Sequence, residues 1–360
     1  MNFKLFAASA FALCLSACGG EDTPRPIVQA PAPAPSPTPV PTPTPTPPPT
    51  GTAFPLELTA ATSPVALSNA NFAFYQDVKY GDGGRQQLDL FLPHGVGNAG
   101  LVVFFHGGGL AAGDKDQVYS IKRYRETIDA YLSQNIAFAT VRYSLVGLEK
   151  NALDSFADGA RALQFLRHYA PELGLNRDKV VLIGASAGGT MALDIAMSDD
   201  IAQSDSEDLL QRQSSRVAGV HADTPQAHYD FSTWIDDIFS SFVADGLSTE
   251  GIFAIVGEAN IRNLLGLAMI EEIETATETR AALDLLEKLT PDDPPLYLSS
   301  NRTAALPSNY SEAMHHPLHV KALAERAVSQ GIPVSARAEQ LGIDTTQGIT
   351  FYDWSLQRLR

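Results

Sequence analysis

The spacing of apolar and polar residues predicts alternating strands and helices in the first half of the folded chain. Four segments have strand patterns, either alternating or continuously apolar: Gln87–Leu92, Leu101–Phe105, Ala137–Tyr143 and Lys179–Ile183. Two segments space their apolar residues at helical intervals: Phe156–Tyr169 and Gly189–Met197. Alternation of this kind predicts an α/β fold, with a mostly parallel, doubly wound sheet and helices on both faces.

The second half of the chain continues the sheet after an interruption. Val217–Val220 and Pro295–Leu298 are predicted as its sixth and seventh strands, and Pro333–Leu341 as its last. The stretch Ile261–Leu289 is rich in Leu, Glu and Thr. We therefore expect a helical insertion after the sixth strand, at about residues 232–290.

The N-terminus has the composition of a processing signal. Lys4 precedes the apolar run Leu5–Leu15, which is too short to span a bilayer, and small residues lead to Cys18. This pattern resembles the bacterial lipoprotein signal, in which residues 1–17 are removed and Cys18 carries lipid. An ordinary secretory signal with a chance cysteine is the alternative. The resemblance implies a membrane anchor in the bacterial cell envelope, at the outer membrane or cell surface rather than the inner membrane.

A proline-rich segment separates this signal from the folded part of the chain. Residues 18–53 are predicted to be a linker, because proline lacks a backbone donor and the repeated Thr-Pro and Ala-Pro pairs favour an extended spacer. The alternative is that this proline-rich segment is a docking ligand for a partner domain. Residues 54–360 remain for one large domain.

Charge and cysteine content exclude several functions. The net charge of −16 argues against nucleic acid as a partner. The sequence has two cysteines, of which Cys14 leaves with the signal and Cys18 would be lipid-modified. The mature protein would then have no cysteine for a disulfide, a zinc site or a thiol nucleophile.

Ser186 is the candidate nucleophile. It lies between Gly184 and Gly188, directly after a predicted strand and before a predicted helix. This order exposes a serine at a tight turn, and the helix N-terminus favours developing negative charge. A G-x-S-x-G motif alone is weak evidence.

A glycine-rich loop after the second predicted strand strengthens this interpretation. His106 is followed by three glycines, whose backbone N–H groups can approach a substrate oxygen closely. We predict that the N–H groups of Gly107, Gly108 and Ala187 form an oxyanion hole. His106 is expected to orient the loop and not to act as a base.

These motifs together resemble the α/β-hydrolase fold, specifically the carboxylesterase-like esterase/lipase group with an HGGG loop. The resemblance is carried by four segments: His106–Lys115, Val141–Leu145, Asp158–Leu166 and Gly184–Gly189. It implies acyl transfer from a small ester substrate through Ser186, with no metal and no organic cofactor.

The sequence departs from that group at two expected catalytic positions. In the group, an acid follows the seventh strand and a histidine follows the eighth. Here Asn301–Tyr310 contains no acidic residue, and Gly342–Arg360 contains no histidine. The base and the acid must come from elsewhere if the site is complete.

His316 is the preferred substitute base, with His315 the second choice. Both precede Pro317, which is typical of a helix first turn, at the sheet edge where Ser186 is expected. The alternative is that these histidines only begin a helix. Asp223, after the sixth strand, is the candidate acid.

Three functional hypotheses follow. The first is a lipid-anchored serine esterase or deacetylase that cleaves small acyl esters. The second, motivated by the two vacant positions, is a hydrolase-fold protein that binds a ligand or partner at the cell surface without turnover. A serine peptidase is a third possibility, but about 300 residues leave little room for the extra domain that such peptidases use.

Overall fold

Nine strands form a single sheet in the computed structural model, which describes residues 51–68, 71–147 and 149–360. The strands are β1 (Phe72–Lys79), β2 (Gln87–Pro93), β3 (Ala99–Phe105), β4 (Ala137–Arg142), β5 (Leu175–Ala185), β6 (Gly219–Asp223), β7 (Leu296–Ser300), β8 (Val334–Ala338) and β9 (Ile343–Asp344). Their order across the sheet is β1-β2-β4-β3-β5-β6-β7-β8-β9. The central strands β4, β3 and β5 to β8 are parallel, while β1, β2 and β9 pair antiparallel at the two edges.

Helices cover both faces of this sheet. Among the described residues they are α1 (Gln117–Ser120), α2 (Lys122–Ser133), α3 (Ala152–His168), α4 (Ala170–Leu173), α5 (Ala187–Met197), α6 (Trp234–Asp237), α7 (Thr249–Val256), α8 (Glu258–Leu265), α9 (Thr277–Ala282), α10 (Leu285–Lys288), α11 (Tyr310–Met314), α12 (Pro317–Ser329) and α13 (Phe351–Leu359). The fold is the predicted mostly parallel α/β sheet with helices.

Successive residues of the central strands point into two separate cores. Leu182 of β5 packs with α3, α5 and α12, on what we call the α5 face. Its neighbours Val181 and Ile183 pack with α2 and α13, on the α13 face. All seven residues of β3 are buried, because helices cover the strand from both sides. This explains its unbroken apolar sequence.

Helices α6 to α10 lie between β6 and β7, where the sequence predicts a helical insertion. The strands β1 and β9, by contrast, have no counterpart in the sequence prediction. The predicted signal, residues 1–17, and residues 18–50 of the predicted linker lie outside the described residues. Within the described ranges, no helix is both long and apolar enough to cross a membrane.

Candidate active site

Ser186 occupies a strained turn between β5 and α5. Its backbone φ of 54° and ψ of −130° is a conformation that costs a non-glycine residue about 1–3 kcal/mol. Close packing maintains it: a Cβ on Gly184 would lie 2.1 Å from the carbonyl oxygen of Gly188, and one on Gly188 would lie 2.2 Å from that of Phe105. The Ser186 N–H also donates to the Asp223 carbonyl, at 2.8 Å. The serine is thereby held at the carboxyl edge of the sheet.

The glycine loop after β3 lies beside this turn. A Cβ on Gly107 would be 3.4 Å from the Cβ of Ser186 and 3.0 Å from the Ala185 carbonyl oxygen. Gly108 has a φ of 118°, which favours glycine at that position. The loop therefore lies directly against the serine turn, and the oxyanion hole stays a prediction.

His106 belongs to the loop's own structure. Its ring stacks on Tyr143 with centroids 4.2 Å apart, and the Tyr143 hydroxyl donates to the His106 carbonyl at 2.6 Å. The His106 Nδ1 donates to the Gly107 carbonyl at 2.8 Å. Burial lowers the pKa of His106 to about 4, so the ring is neutral near pH 7. These contacts agree with a role in orienting the loop.

The histidine that contacts Ser186 is His315. Its Nε2 lies 2.8 Å from the Ser186 Oγ. His315 directly follows α11, a short helix whose first turn is capped by Asn309, where the Glu312 N–H donates to the side-chain oxygen at 3.1 Å. The chain segment that follows β7 thus places the His315 imidazole beside Ser186, at the edge of the sheet.

His316, the base preferred from the sequence, is not brought to Ser186. It is buried and forms the N-cap of α12. Its Nδ1 accepts from the Leu318 N–H and its Nε2 donates to the Ala305 carbonyl, both at 3.2 Å. Both ring nitrogens of His316 are therefore engaged, one in capping α12 and one in a loop contact. This corrects the sequence prediction: His315, and not His316, is the candidate base.

Asp223, the acid predicted from the sequence, does not contact this histidine. Its carboxylate accepts hydrogen bonds from Arg123 at 3.1 Å and from the Ser299 hydroxyl at 3.2 Å. Its charge acts on His315 only through space, where it raises the pKa of the imidazole. Asp223 therefore lies near the candidate base but does not orient it.

The environment of His315 keeps its imidazole neutral. Burial lowers its pKa most, and the positive charge of Arg302 lowers it further, which outweighs the opposing effects of Ser311 and Asp223. The second ring nitrogen, Nδ1, lies 3.2 Å from the Ser311 Oγ, one helical turn earlier. A neutral ring whose Nε2 faces a serine hydroxyl can accept that hydroxyl's proton.

Two residues of α11 were missed by sequence reasoning. Ser311 lies four positions before His315, a spacing that places both side chains on the same side of a helix. Tyr310 lies over the glycine loop, where a Cβ on Gly109 would be 2.8 Å from its hydroxyl oxygen. The four-residue spacing was visible in the sequence, whereas nothing in it connected Tyr310 to Gly109.

A cavity of about 160 Å³ lies on the α13 face of the sheet, next to the end of the strand that precedes Ser186. Its walls include Phe104, Ile183, His221 and Phe351. The His221 ring is 6% exposed and stacks on Phe351 with centroids 4.5 Å apart. Burial lowers the pKa of His221 to about 4. This histidine lies within the core beneath Ser186, and not at the serine hydroxyl.

No group of three or more His, Cys, Asp or Glu side chains in the described ranges could hold a metal ion. The contacts above bring together a serine hydroxyl and an imidazole, beside a glycine loop.

The BD-FAE family model matches residues 88–301, which is more than half of the chain. The chain belongs to the BD-FAE family. The matched range contains Ser186, the glycine loop and Asp223, and it ends before α11. His315 and Ser311 therefore lie beyond the part of this BD-FAE protein that the family model covers.

Solved structures with the same fold include several esterases. An acetyl ester-xyloside bifunctional hydrolase from Caldicellulosiruptor lactoaceticus has a TM-score of 0.51 at 16% identity, over 75% of this chain and 85% of that one. A truncated carbohydrate esterase from gut microbiota has a TM-score of 0.54 at 12% identity, over 75% and 89%. Esterase B from Lactobacillus rhamnosis has a TM-score of 0.51 at 19% identity, over 77% and 79%. No curated protein sequence matches the chain. These likenesses establish the α/β-hydrolase type of fold.

Proposed function

We propose that the protein is a serine carboxylic-ester hydrolase that cleaves small acyl esters through Ser186, with His315 as the base. The observation that carries this proposal is the 2.8 Å contact between the Ser186 Oγ and the His315 Nε2. A serine hydroxyl needs such a partner, because it is a weak nucleophile until a base removes its proton. The chain belongs to the BD-FAE family and its own structural neighbours include esterases, which supports the same reaction class.

The first half of the reaction forms an acyl-enzyme. The His315 Nε2 takes the proton from the Ser186 hydroxyl as the Oγ attacks the ester carbonyl carbon. The carbonyl oxygen gains negative charge and is stabilised by the N–H groups of Gly107, Gly108 and Ala187. As the tetrahedral intermediate collapses, the proton on Nε2 passes to the leaving alkoxide, and the alcohol departs.

The second half repeats the chemistry with water. His315 removes a proton from a water molecule, the resulting hydroxide adds to the acyl carbon, and the Ser186 Oγ is released and reprotonated. The lowered pKa of His315 favours the neutral base that both halves require.

Fluorophosphonate labelling measured by intact mass tests whether Ser186 is activated. We expect one adduct on the wild-type protein and none on Ser186→Ala. An adduct that persists in Ser186→Ala would place the reactive group elsewhere. If the folded wild-type protein forms no adduct, Ser186 has no effective base and the proposal fails.

One observation favours the non-catalytic alternative. Within the described residues, no carboxylate hydrogen-bonds to His315, whereas the group that the sequence resembles uses an acid to orient its base. A protein that binds a ligand or partner at this site without turnover would show no adduct, and Ser186→Ala would leave its ligand affinity unchanged.

The location of the protein is proposed from the sequence alone. Lys4, the apolar run Leu5–Leu15 and Cys18 support secretion and lipid attachment at Cys18 in the bacterial envelope. The net charge of −16 argues against nucleic acid as a partner, because phosphates would be repelled. Metabolic labelling with a fatty acid, compared between the wild-type protein and Cys18→Ala, tests the anchor.

A further inference from the structure

The His315 ring needs a partner on the side that faces away from Ser186. Only one of its nitrogens can carry the proton while the ring is neutral. If Nε2 accepts from the Ser186 hydroxyl, the proton must lie on Nδ1, and Nδ1 must donate it to an acceptor. An imidazole without that acceptor can turn or adopt the other tautomer, and the serine then loses its base.

Ser311 provides the side-chain acceptor that faces Nδ1. Its Oγ lies 3.2 Å from the nitrogen, and its backbone carbonyl also acts on the ring, where it raises the pKa of His315. The nearby carboxylate of Asp223 accepts from Arg123 and Ser299 instead. Within the described ranges, no side chain other than those of Ser186 and Ser311 forms a hydrogen bond with the His315 ring.

The local helical structure fixes the position of Ser311 relative to His315. Ser311 and His315 are four residues apart, and the His315 N–H donates to the Ser311 carbonyl at 3.1 Å, which closes one helical turn. Ala313 and Met314, between them, are buried in the core of the α5 face. The helix is thereby anchored through its buried side while Ser311 stays at the exposed surface.

We propose that Ser311 is the positioning residue of this site, holding His315 in the tautomer that can accept the Ser186 proton. A neutral hydroxyl thus takes the place that an acidic residue has in the group the sequence resembles. This inference rests on the proposed function, since it assigns His315 as the base.

The exchange of a carboxylate for a hydroxyl has a consequence for the charged intermediate. A carboxylate attracts the imidazolium that forms when His315 takes the proton, whereas a hydroxyl offers only a lone pair. Ser311 therefore fixes the orientation of the ring but adds little stabilisation of its positive charge. Adding a negative charge at this position should therefore raise the pKa of His315 while keeping an acceptor for Nδ1.

Steady-state kinetics with a small acyl ester test this role in two variants of Ser311. In Ser311→Ala we expect kcat to fall about 5- to 10-fold, the size of one net hydrogen bond, with KM unchanged. In Ser311→Asp we expect kcat to be retained, and the acidic limb of the pH profile of kcat/KM to move upward by about one pH unit.

Ser308→Ala is the matched control. The Ser308 hydroxyl belongs to the same surface segment but donates to the Glu312 carboxylate at 2.8 Å, and not to His315. Its kinetics should equal those of the wild-type protein. Equal kcat values for Ser311→Ala and Ser308→Ala would overturn the proposal, because the backbone carbonyl alone would then position the ring.

Nitrogen NMR of the imidazole ring separates failure of this inference from failure of the proposed function. We expect the His315 resonances, assigned with His315→Gln, to show the proton on Nδ1 in the wild-type protein and a mixture of tautomers in Ser311→Ala. A wild-type ring protonated on Nε2, or a tautomer unaffected by Ser311→Ala, would refute the role of Ser311. This readout does not depend on turnover, so it decides the matter even for a protein that hydrolyses no ester.

Discussion

Two histidines lie near the serine turn, one within a strand of the sheet and one beyond the sheet edge, and only the second reaches the hydroxyl. His221 is part of β6, where it stacks on Phe351 in the α13-face core. His315 follows a loop and a short helix after β7, and it lies against the Ser186 Oγ. Both residues lie near the same carboxyl edge of the sheet, and burial lowers the pKa of both.

The difference comes from the geometry of a strand. Side chains within a strand stand roughly perpendicular to the sheet, so His221 points into the core beneath the turn. Ser186, the proposed nucleophile, lies beyond the end of its own strand, above the edge of the sheet. A residue can approach it from the side only if the chain has already left the sheet, as it has at His315. Catalytic side chains on parallel sheets therefore come from the segments that follow strands.

Removing each imidazole should separate the two roles most clearly. We expect His315→Ala to lower kcat/KM by about 10³-fold or more, because the serine loses its base. His221→Phe should change kcat/KM by less than about threefold, since a phenyl ring can keep the stacking on Phe351 and touches no reacting atom. Hydrolysis of a small acyl ester measures both, and comparable losses in the two variants would contradict the distinction.

The free energy of unfolding should vary with pH because of two buried histidines, His106 and His221. Each has a folded pKa of about 4, below the value near 6.5 that an unfolded histidine has. Between pH 6.5 and 4 the unfolded chain binds protons that the folded chain excludes, so stability falls as the pH is lowered and is unaffected above 6.5. Each group should contribute on the order of 2 kcal/mol of this loss at pH 5.

Chemical denaturation of the wild-type protein and His221→Phe, at pH 7 and pH 5, measures this effect. The variant should lose less stability than the wild type on acidification. An equal loss in both proteins would mean that His221 takes up its proton without cost in the folded state.

The smallest effects should come from the charges that surround His315. Arg302 lowers the pKa of His315 and Asp223 raises it. The acidic limb of kcat/KM should therefore move to higher pH in Arg302→Gln and to lower pH in Asp223→Asn, each with a change in maximal rate of less than about tenfold. Shifts in the same direction would show that His315 is not the group that titrates in that limb.

Much of the fold could be predicted because apolar patterns reflect burial. Leu101–Phe105 is apolar throughout because β3 is covered on both faces, and this predicted a central strand. The edge strand β9 has only two residues and no pattern to detect. β1, of eight residues, shifts register between Tyr75 and Val78, which interrupts its alternation.

The candidate site could be predicted only where it is local in sequence. Ser186 and the glycine loop carry their geometry within a few residues, so motif and element order were enough to predict the serine turn between a strand and a helix. The choice between His315 and His316 depended on a helix boundary. One residue ends α11 and faces the serine, while the next begins α12 and caps it. A shift of one residue in that boundary exchanges their roles, and boundaries are the least certain part of a sequence prediction.

The contact between Ser186 and His315 also has a consequence for the order of folding. It joins residues 129 positions apart, and β6, the helical insertion and β7 lie between them in the chain. Contacts this distant form late, because the chain must close a long loop before they contribute stability. A nascent or partly folded chain can therefore complete the serine turn before His315, the proposed base, reaches Ser186. Activity should return after most of the secondary structure when the protein refolds.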